Sequence, residues 1–385
     1  MSDHRFGNRR RLTTIVALTC LGILGAATAP SGALAARTGR TGGVVQQRLN
    51  HLVRDDGFPA ALASVRGHDG DFRHYTAGVG DLRTKGRVPA DGYVRIGSNT
   101  KTFTAVVVLQ LVGEGRIRLD EPIETYLPGL IRGDGIDGRH ITVRQLLQHT
   151  SGLPNYTSLF ANGFLPYQHR YFEPRELLDL ALAKKADFPP GTKWEYSNTN
   201  YVVAGLLVEK ITGRPMAEQI TDRVITRIGL RHTYFPGVGD QTIRRPHPEG
   251  YAKDDPKAPL TDVTESDPSM GWAAGQMIST PSDVDRFFTA LLAGRLLAPA
   301  QLKEMRTTVA APEMGKGVRY GLGLMSTPLS CGGVAWGHGG DIPGYSTSNA
   351  ATEDGRAVTI AVTELPTDLA QIGHLNAAVD AALCE

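Results

Sequence analysis

An α/β fold of the α+β kind is predicted: an antiparallel sheet flanked by N- and C-terminal helices, with an inserted, mostly helical subdomain. Two observations predict it. Strand-like alternation lies at both ends of the sequence and helical periodicity fills the middle, so the terminal strands are expected to meet in one sheet. The 45 glycines and 23 prolines among 385 residues imply many turns, as a site built from loops in the cleft between two subdomains requires. Hydrophobic residues at 41% and charged residues at 21% are ordinary for a soluble globular chain.

Residues 1–35 read as an export signal. Arg5, Arg9, Arg10 and Arg11 form a basic start, Leu12 to Ala29 is apolar, and Ala33-Leu34-Ala35 offers a small-residue cleavage site. Arg9-Arg10-Arg11-Leu12 loosely resembles a twin-arginine signal, and Sec export fits as well. Pro30 argues against an uncleaved anchor, and no second long apolar run exists, so no stable membrane span is expected after cleavage. Removing this segment, with four Arg and one Asp, takes the net charge from +2 to about −1. That excludes an electrostatic footprint for nucleic acid or an anionic membrane. The expected location is outside the cell, on the cell-wall side.

Residues 36–43 read as a flexible leader, and 44–385 as one domain. Its sheet subdomain is expected over about 44–97 and 275–385, its helical one over about 98–274. Val45, Leu49, Leu52 and Val53 share a face of a helix that Gly57 ends. Residues 60–67 and 72–79 are expected as two strands joined at His68-Asp69-Gly70. The apolar run 105–112 reads as a buried helix stopped at Gly113-Glu114-Gly115. Helices are expected over 141–149, 174–185, 198–212 (stopped by Gly213) and 216–228, then a polar, proline-rich surface loop over 244–268. A strand over 275–279 leads into a helix with Thr280 as cap, Pro281 first and Asp283 on the dipole. Strands over 320–325, 333–337, 345–352 and 357–363, and a closing helix over 368–383, complete the chain. Cys20 leaves with the signal. Cys331 and Cys384, an even pair in an exported chain, are expected to form a disulfide, which would contribute about 4 kcal/mol on a loop-entropy argument.

Three stretches carry chemistry. Ser98-Asn99-Thr100-Lys101 sits where strand gives way to helix, so Ser98 is at a helix N-terminus and Lys101 lies one turn on, on the same face. A serine hydroxyl needs a base, and a buried lysine with a lowered pKa can act as one in its neutral form. Tyr196-Ser197-Asn198 opens the 198–212 helix. Tyr196 beside two ammonium-type groups would have a lowered pKa and could shuttle a proton, and Asn198 could fix Lys101 and contact a substrate amide. His338-Gly339-Gly340-Asp341 follows a strand-like stretch. Its small residues let a substrate approach the backbone, where a strand-edge N–H could complete an oxyanion hole with that of Ser98.

In this order, S-x-x-K, Y-x-N and H-x-G resemble the signature of the serine β-lactamase and penicillin-binding-protein superfamily. The chain looks most like class C β-lactamases and secreted D-alanyl-D-alanine carboxypeptidases. Supporting stretches are Leu146-Leu147-Gln148-His149-Thr150-Ser151-Gly152-Leu153, Pro190-Gly191 before Tyr196, and Gly271-Trp272-Ala273-Ala274-Gly275. The resemblance implies Ser98 as acylated nucleophile and Lys101 and Tyr196 as the proton-transfer pair. It implies Asn198, Trp272, His338, Gly339, Gly340 and Asp341 as substrate-binding residues, with an oxyanion hole from the N–H groups of Ser98 and Asp341. No metal or cofactor is implied. The substrate is expected to be a small peptide or β-lactam, with peptidoglycan as the natural partner of a monomeric carboxypeptidase. An esterase or D-amino peptidase, a β-lactamase and a silent wall-peptide binder are the alternatives. The chain departs from carboxypeptidases at one end of the site: Gly339 and Asp341 stand where hydroxyl or basic groups hold the substrate carboxylate, and Met325 where relatives tend to place arginine. Arg319 or His338 would have to supply that positive charge.

Overall fold

The computed structural model describes residues 32–384. Nine strands among them form one antiparallel sheet. From one edge they run Phe72–Gly78, Ala60–Arg66, Ala357–Val362, Tyr345–Ala351, Val334–Gly337, Met325–Pro328, Arg319–Tyr320 and Val309–Ala310, with Gly340–Ile342 paired to Tyr345–Ala351 off that path. The two ends of the sequence therefore meet at the sheet centre, with Ala61 opposite Val362 and Val65 opposite Val358.

Both faces of these central strands are covered, which the two-residue period makes legible. Ala61, Ala63, Val65, Val358, Ile360 and Val362 face the terminal helices Gly32–Arg54 and Leu369–Cys384, whose Val45, Leu49, Leu52, Leu375, Ala378 and Val379 close a core on that side. Ala60 and Leu62 face the other way, into a larger core shared with the helical half. At its centre lies the helix Thr100–Gly113, apolar all round and buried along most of its length. Phe103 stacks on Phe287 with ring centroids 3.7 Å apart. Helix Thr199–Thr212 packs beside it.

The expected mixed fold is present, with local differences. Most of the export-signal segment, residues 1–31, lies outside the described residues. The stretch read as a flexible leader continues the first helix, which begins at Gly32 because Ala33, Leu34, Ala35 and Ala36 are good helix formers. The single strand expected over 320–325 is a hairpin instead: Gly321 N–H donates to Leu324 O at 2.8 Å, and Gly323 takes a φ of 74°. The strand expected over 275–279 is only Ile278–Ser279, because Trp272–Gly275 forms a helical turn. Thr280 holds the N-cap position without a capping side chain; Asp91 does that work, its Oδ1 accepting from Ser282 N–H at 3.0 Å. The loop 244–268 carries a short hairpin, Tyr251–Ala252 with Thr261–Asp262, and lies over buried Arg95, whose Nη2 donates to the carbonyls of Gln241, Thr264 and Ser266. The expected disulfide joins Cys331 to Cys384 and ties the last turn of the closing helix to the turn before Val334–Gly337. No helix among the described residues is long and apolar enough to cross a membrane.

One buried acid sets a pH dependence. Asp285, 1% exposed, accepts from Thr359 Oγ1 at 2.7 Å, while its Oδ2 and nearby Ser64 Oγ have no partner. Burial raises its pKa well above the carboxylate range. Protonated, Oδ2 can donate to Ser64 Oγ and both orphans are satisfied. A carboxyl whose folded pKa exceeds its unfolded one holds a proton that the unfolded chain releases, so stability falls as pH rises above the unfolded value. Asp285→Asn is expected to flatten that fall. Thermal melts from about pH 4 to about pH 8 should bring the variant from at or below wild type to a few degrees above it. Parallel curves for the two proteins would show that Asp285 does not titrate in this range.

Candidate active site

Ser98 lies in the 3₁₀ turn Gly97–Asn99 that feeds the central helix. Two glycines make the turn possible. Gly97 has a φ of 47°, and a Cβ there would stand 2.8 Å from the backbone N of Asp341. A Cβ on Gly340 would stand 2.0 Å from Ile96 O. Only glycine lets this turn lie against the strand Gly340–Ile342, which brings the backbones of Ser98 and Asp341 together. Gly339 is different: its nearest obstacle, Thr347 O, is 3.6 Å away, so sterics do not demand glycine there. Asn99 locks the seam. Its Nδ2 donates to Ile96 O at 2.9 Å and to Thr347 Oγ1 at 2.7 Å, and its Oδ1 accepts from Asn349 Nδ2. Asn349 Oδ1 in turn accepts from His338 N–H at 3.3 Å, so one buried amide pair holds both the Ser98 turn and His338.

Lys101 is fully buried one turn beyond Ser98. Its Nζ is 2.8 Å from Ser98 Oγ, 2.6 Å from Asn198 Oδ1 and 2.8 Å from Ala274 O. Burial holds its pKa well below the lysine range, and the Asp341 carboxylate partly restores it. A neutral amine has two hydrogens and one lone pair. Asn198 Oδ1 and Ala274 O can only accept, so they take both hydrogens and the lone pair is left facing Ser98 Oγ. Serine can then donate its hydroxyl hydrogen to lysine, which is the arrangement a general base requires.

Ala274 reaches Lys101 because Trp272 takes a φ of 31° at the start of its helical turn, which points two successive carbonyls at the central helix. Thr104 Oγ1 donates to Ala273 O at 2.7 Å, beside the Lys101 contact with Ala274 O. The Trp272 ring itself packs on helix Thr199–Thr212, where a Cβ on Gly205 would stand 2.6 Å from its Cζ3. The ring is half-buried, and the same segment meets the site through Ala274 O.

Tyr196 is half-buried, its ring 5.0 Å from Lys101 Nζ. Burial raises its pKa above the phenol range, opposed by a hydrogen bond with Ser98. The expected lowering is absent because burial of the phenol is the dominant effect. Burial and then Lys101 push the His338 pKa down to about 3, so it is neutral at pH 7. His338 Nδ1 donates to Gly339 O at 2.6 Å, and Nε2 takes the Tyr320 hydroxyl at 2.9 Å. Behind Tyr196 lies His149, an aromatic-boxed residue that motif reasoning passed over. Its ring centroid is 4.3 Å from that of Tyr196, and its Nδ1 accepts from Ser197 N–H at 3.3 Å and Asn200 Nδ2 at 3.0 Å. Burial, then Lys101, keep it neutral. Asn155 Oδ1 receives Asn198 N–H at 3.3 Å and so fixes the amide that holds Lys101.

Arg319 does not bring a cation to the far end of the site. Arg319 and Tyr320 are neighbours on one strand, so their side chains take opposite faces. Tyr320 reaches His338, while Arg319 Nε donates to Thr308 Oγ1 and its Nη2 to Thr308 O, each at 2.8 Å. Met325 pairs with Tyr320 and with Gly337, on the site's side of the sheet. Asp341 is exposed, and Ser346 Oγ donates to its Oδ1 at 2.6 Å. Its crowded surroundings raise its pKa, opposed by Ser346 and Lys101. A concavity of about 950 Å³ opens elsewhere, lined by Asp81, His169, Arg245 and Glu249 among others, and it contains none of these groups.

Comparison with known proteins gives the same picture. The family model described as "Beta-lactamase" matches residues 45–382. The chain is 43% identical to a D-stereospecific amidohydrolase from Streptomyces sp., covering 86% of this chain and 96% of that one with a TM-score of 0.79. It is 27% identical to a D-amino acid amidase from Ochrobactrum anthropi SV3, covering 89% and 97% at a TM-score of 0.79. Penicillin-binding protein 4 of Amycolatopsis lactamdurans is 28% identical over 323 residues, 80% of this chain and 78% of that protein.

Proposed function

Because the chain belongs to the beta-lactamase family, we propose that it is a serine amidohydrolase acting through an acyl-enzyme on amides of D-amino acids or short D-peptides. The observation that carries this reading is the charge at the far end of the site. His338 is neutral, Arg319 is tied to Thr308, and Asp341 brings an acid rather than a cation, so that end suits a neutral amide better than a carboxylate. The names of the Streptomyces and Ochrobactrum relatives support the D-amide substrate class.

In this reading Ser98 Oγ attacks the amide carbon and its proton passes to neutral Lys101. The N–H groups of Ser98 and Asp341 receive the oxyanion. Lys101 returns the proton, by way of the Tyr196 hydroxyl, to the departing nitrogen as the C–N bond breaks. Water then attacks the Ser98 ester, giving its proton to Lys101 by the same route; the C–Oγ bond breaks as Lys101 returns that proton to Ser98 Oγ, and the acid leaves. Tyr196 works as a neutral relay and Lys101 as the base. Export by the segment 1–35 is part of the proposal, so the substrate is met outside the cytoplasm.

A second reading, D-alanyl-D-alanine carboxypeptidase action on peptidoglycan stems, is favoured by the penicillin-binding relatives. Stereochemistry and adduct mass test the first. A D-phenylalanine amide is expected to turn over at least about 100-fold faster than its L-isomer, with a transient acyl adduct mapped to Ser98. Equal turnover of both isomers, or an adduct elsewhere, would remove the proposal.

A further inference from the structure

The terminal helices bring a second cluster together, on the face of the sheet away from Ser98. His51, Asp56 and His374 each offer a ligand atom within 4.8 Å of the other two. His374 Nδ1 is 2.8 Å from Asp56 Oδ1, and the two imidazoles meet edge to face at 4.7 Å. Asp56 is the informative member. Its side chain is 7% exposed and its Oδ2 has no hydrogen-bond partner. A buried carboxylate oxygen without a donor is costly, and the pairing with His374 leaves that cost in place.

Three further features suit a cation. Asp55 accepts from His51 Nδ1, which leaves the lone pair on Nε2 free, and a carboxylate behind an imidazole is the usual support for a metal-bound histidine. The helix Gly32–Arg54 ends here, with Asp55 and Asp56 N–H both donating to His51 O, so the negative end of its dipole lies at the cluster. Gln371 Nε2 donates to Asp56 O at 2.8 Å and fixes the Asp56 backbone against the closing helix.

We propose that His51, Asp56 and His374 form a structural site for one Zn²⁺ ion, which fastens the end of the first helix to the start of the last. Two imidazoles and a carboxylate are the donor set that zinc takes, with water in the fourth position. Ligands about 2.1 Å from a tetrahedral ion stand about 3.3 Å apart, so the widest pair closes by about 1.5 Å. Rotation of the two half-exposed histidines supplies that. The ion takes the Nδ1 lone pair of the neutral His374 tautomer that carries its hydrogen on Nε2, so the contact between His374 and Asp56 gives way to one bond from each to the ion. The closing helix is then held at both ends, by the ion near His374 and by the disulfide at Cys384.

The test uses the full chain, stripped with chelator and titrated with zinc chloride alone. The wild type is expected to retain one zinc per chain on elemental analysis and to melt about 3–6 °C higher at saturating zinc. His374→Ala should lose both the bound zinc and the shift, with hydrolytic turnover unchanged. If that variant fails to fold, His51→Gln, at a half-exposed position, decides by the same two readouts. Magnesium should have no effect on any of the proteins. Zinc retention no higher in wild type than in the folded variant, or an equal melting shift in both, overturns the site.

Discussion

Lys101→Arg is expected to lower kcat/KM on amide substrates by about 10³- to 10⁴-fold while leaving the chain folded. The expectation follows from protonation, not from shape. A guanidinium stays charged at any working pH, so it cannot accept the Ser98 proton, although it can still donate to Asn198 Oδ1 and Ala274 O. In wild type, burial depresses the Lys101 pKa, which favours the base form, and activity should fall as pH drops through that depressed value. The variant should lose this acid limb along with its rate. Tyr196→Phe should keep the limb and lose less, because a neutral phenol relays the proton without storing it. The measurement is kcat/KM against pH for the three proteins. A limb that vanishes in Tyr196→Phe and survives in Lys101→Arg would make the tyrosine the base.

Asp341→Thr is expected to shift selectivity toward substrates that end in a free carboxylate by about 30-fold. A substrate carboxylate about 4 Å from Asp341 would be repelled by about 4 kcal/mol at an effective dielectric near 20 and about 1 kcal/mol in water. Asp341 is exposed, so about 2 kcal/mol is the appropriate figure, and that is about 30-fold. Met325→Arg adds a cation on the same side of the sheet and should raise the shift toward about 100-fold in the double variant. A second readout separates charge from shape. Asp341 helps keep Lys101 protonated, so removing it should move the acid limb to lower pH. Asp341→Asn should show that pH shift as well. If neither variant changes the ratio of free-acid to amide turnover, Asp341 is not a selectivity element.

Much of the site was legible because family motifs are written in local sequence. Ser98 and Lys101 are one helical turn apart, and Asn198 meets Lys101 as the residue types suggested. What the sequence hid depends on contacts between distant segments. Asn99 and Asn349 form their buried amide pair across 250 positions, and nothing in either local stretch marks it. His149 stood inside a quoted stretch, yet its role as the neutral floor under Tyr196 depends on rings from two other segments. Beside Trp272, a neighbouring carbonyl also reaches the site, which no side-chain pattern reveals. The direction of the Tyr196 pKa was misread for the same reason. The sequence set Tyr196 beside charged groups, and only the fold shows that its burial outweighs them. The fold followed more readily, since the central strands carry alternation on both faces, whereas two glycines turned one expected strand into a hairpin.

The most direct test of the account is wild-type kcat/KM on a matched pair: one D-peptide with its C-terminus amidated and the same peptide as the free acid. A cleft with neutral His338, a diverted Arg319 and the acid Asp341 should favour the amide by at least about 30-fold. A preference for the free acid would contradict it and leave the carboxypeptidase reading in its place.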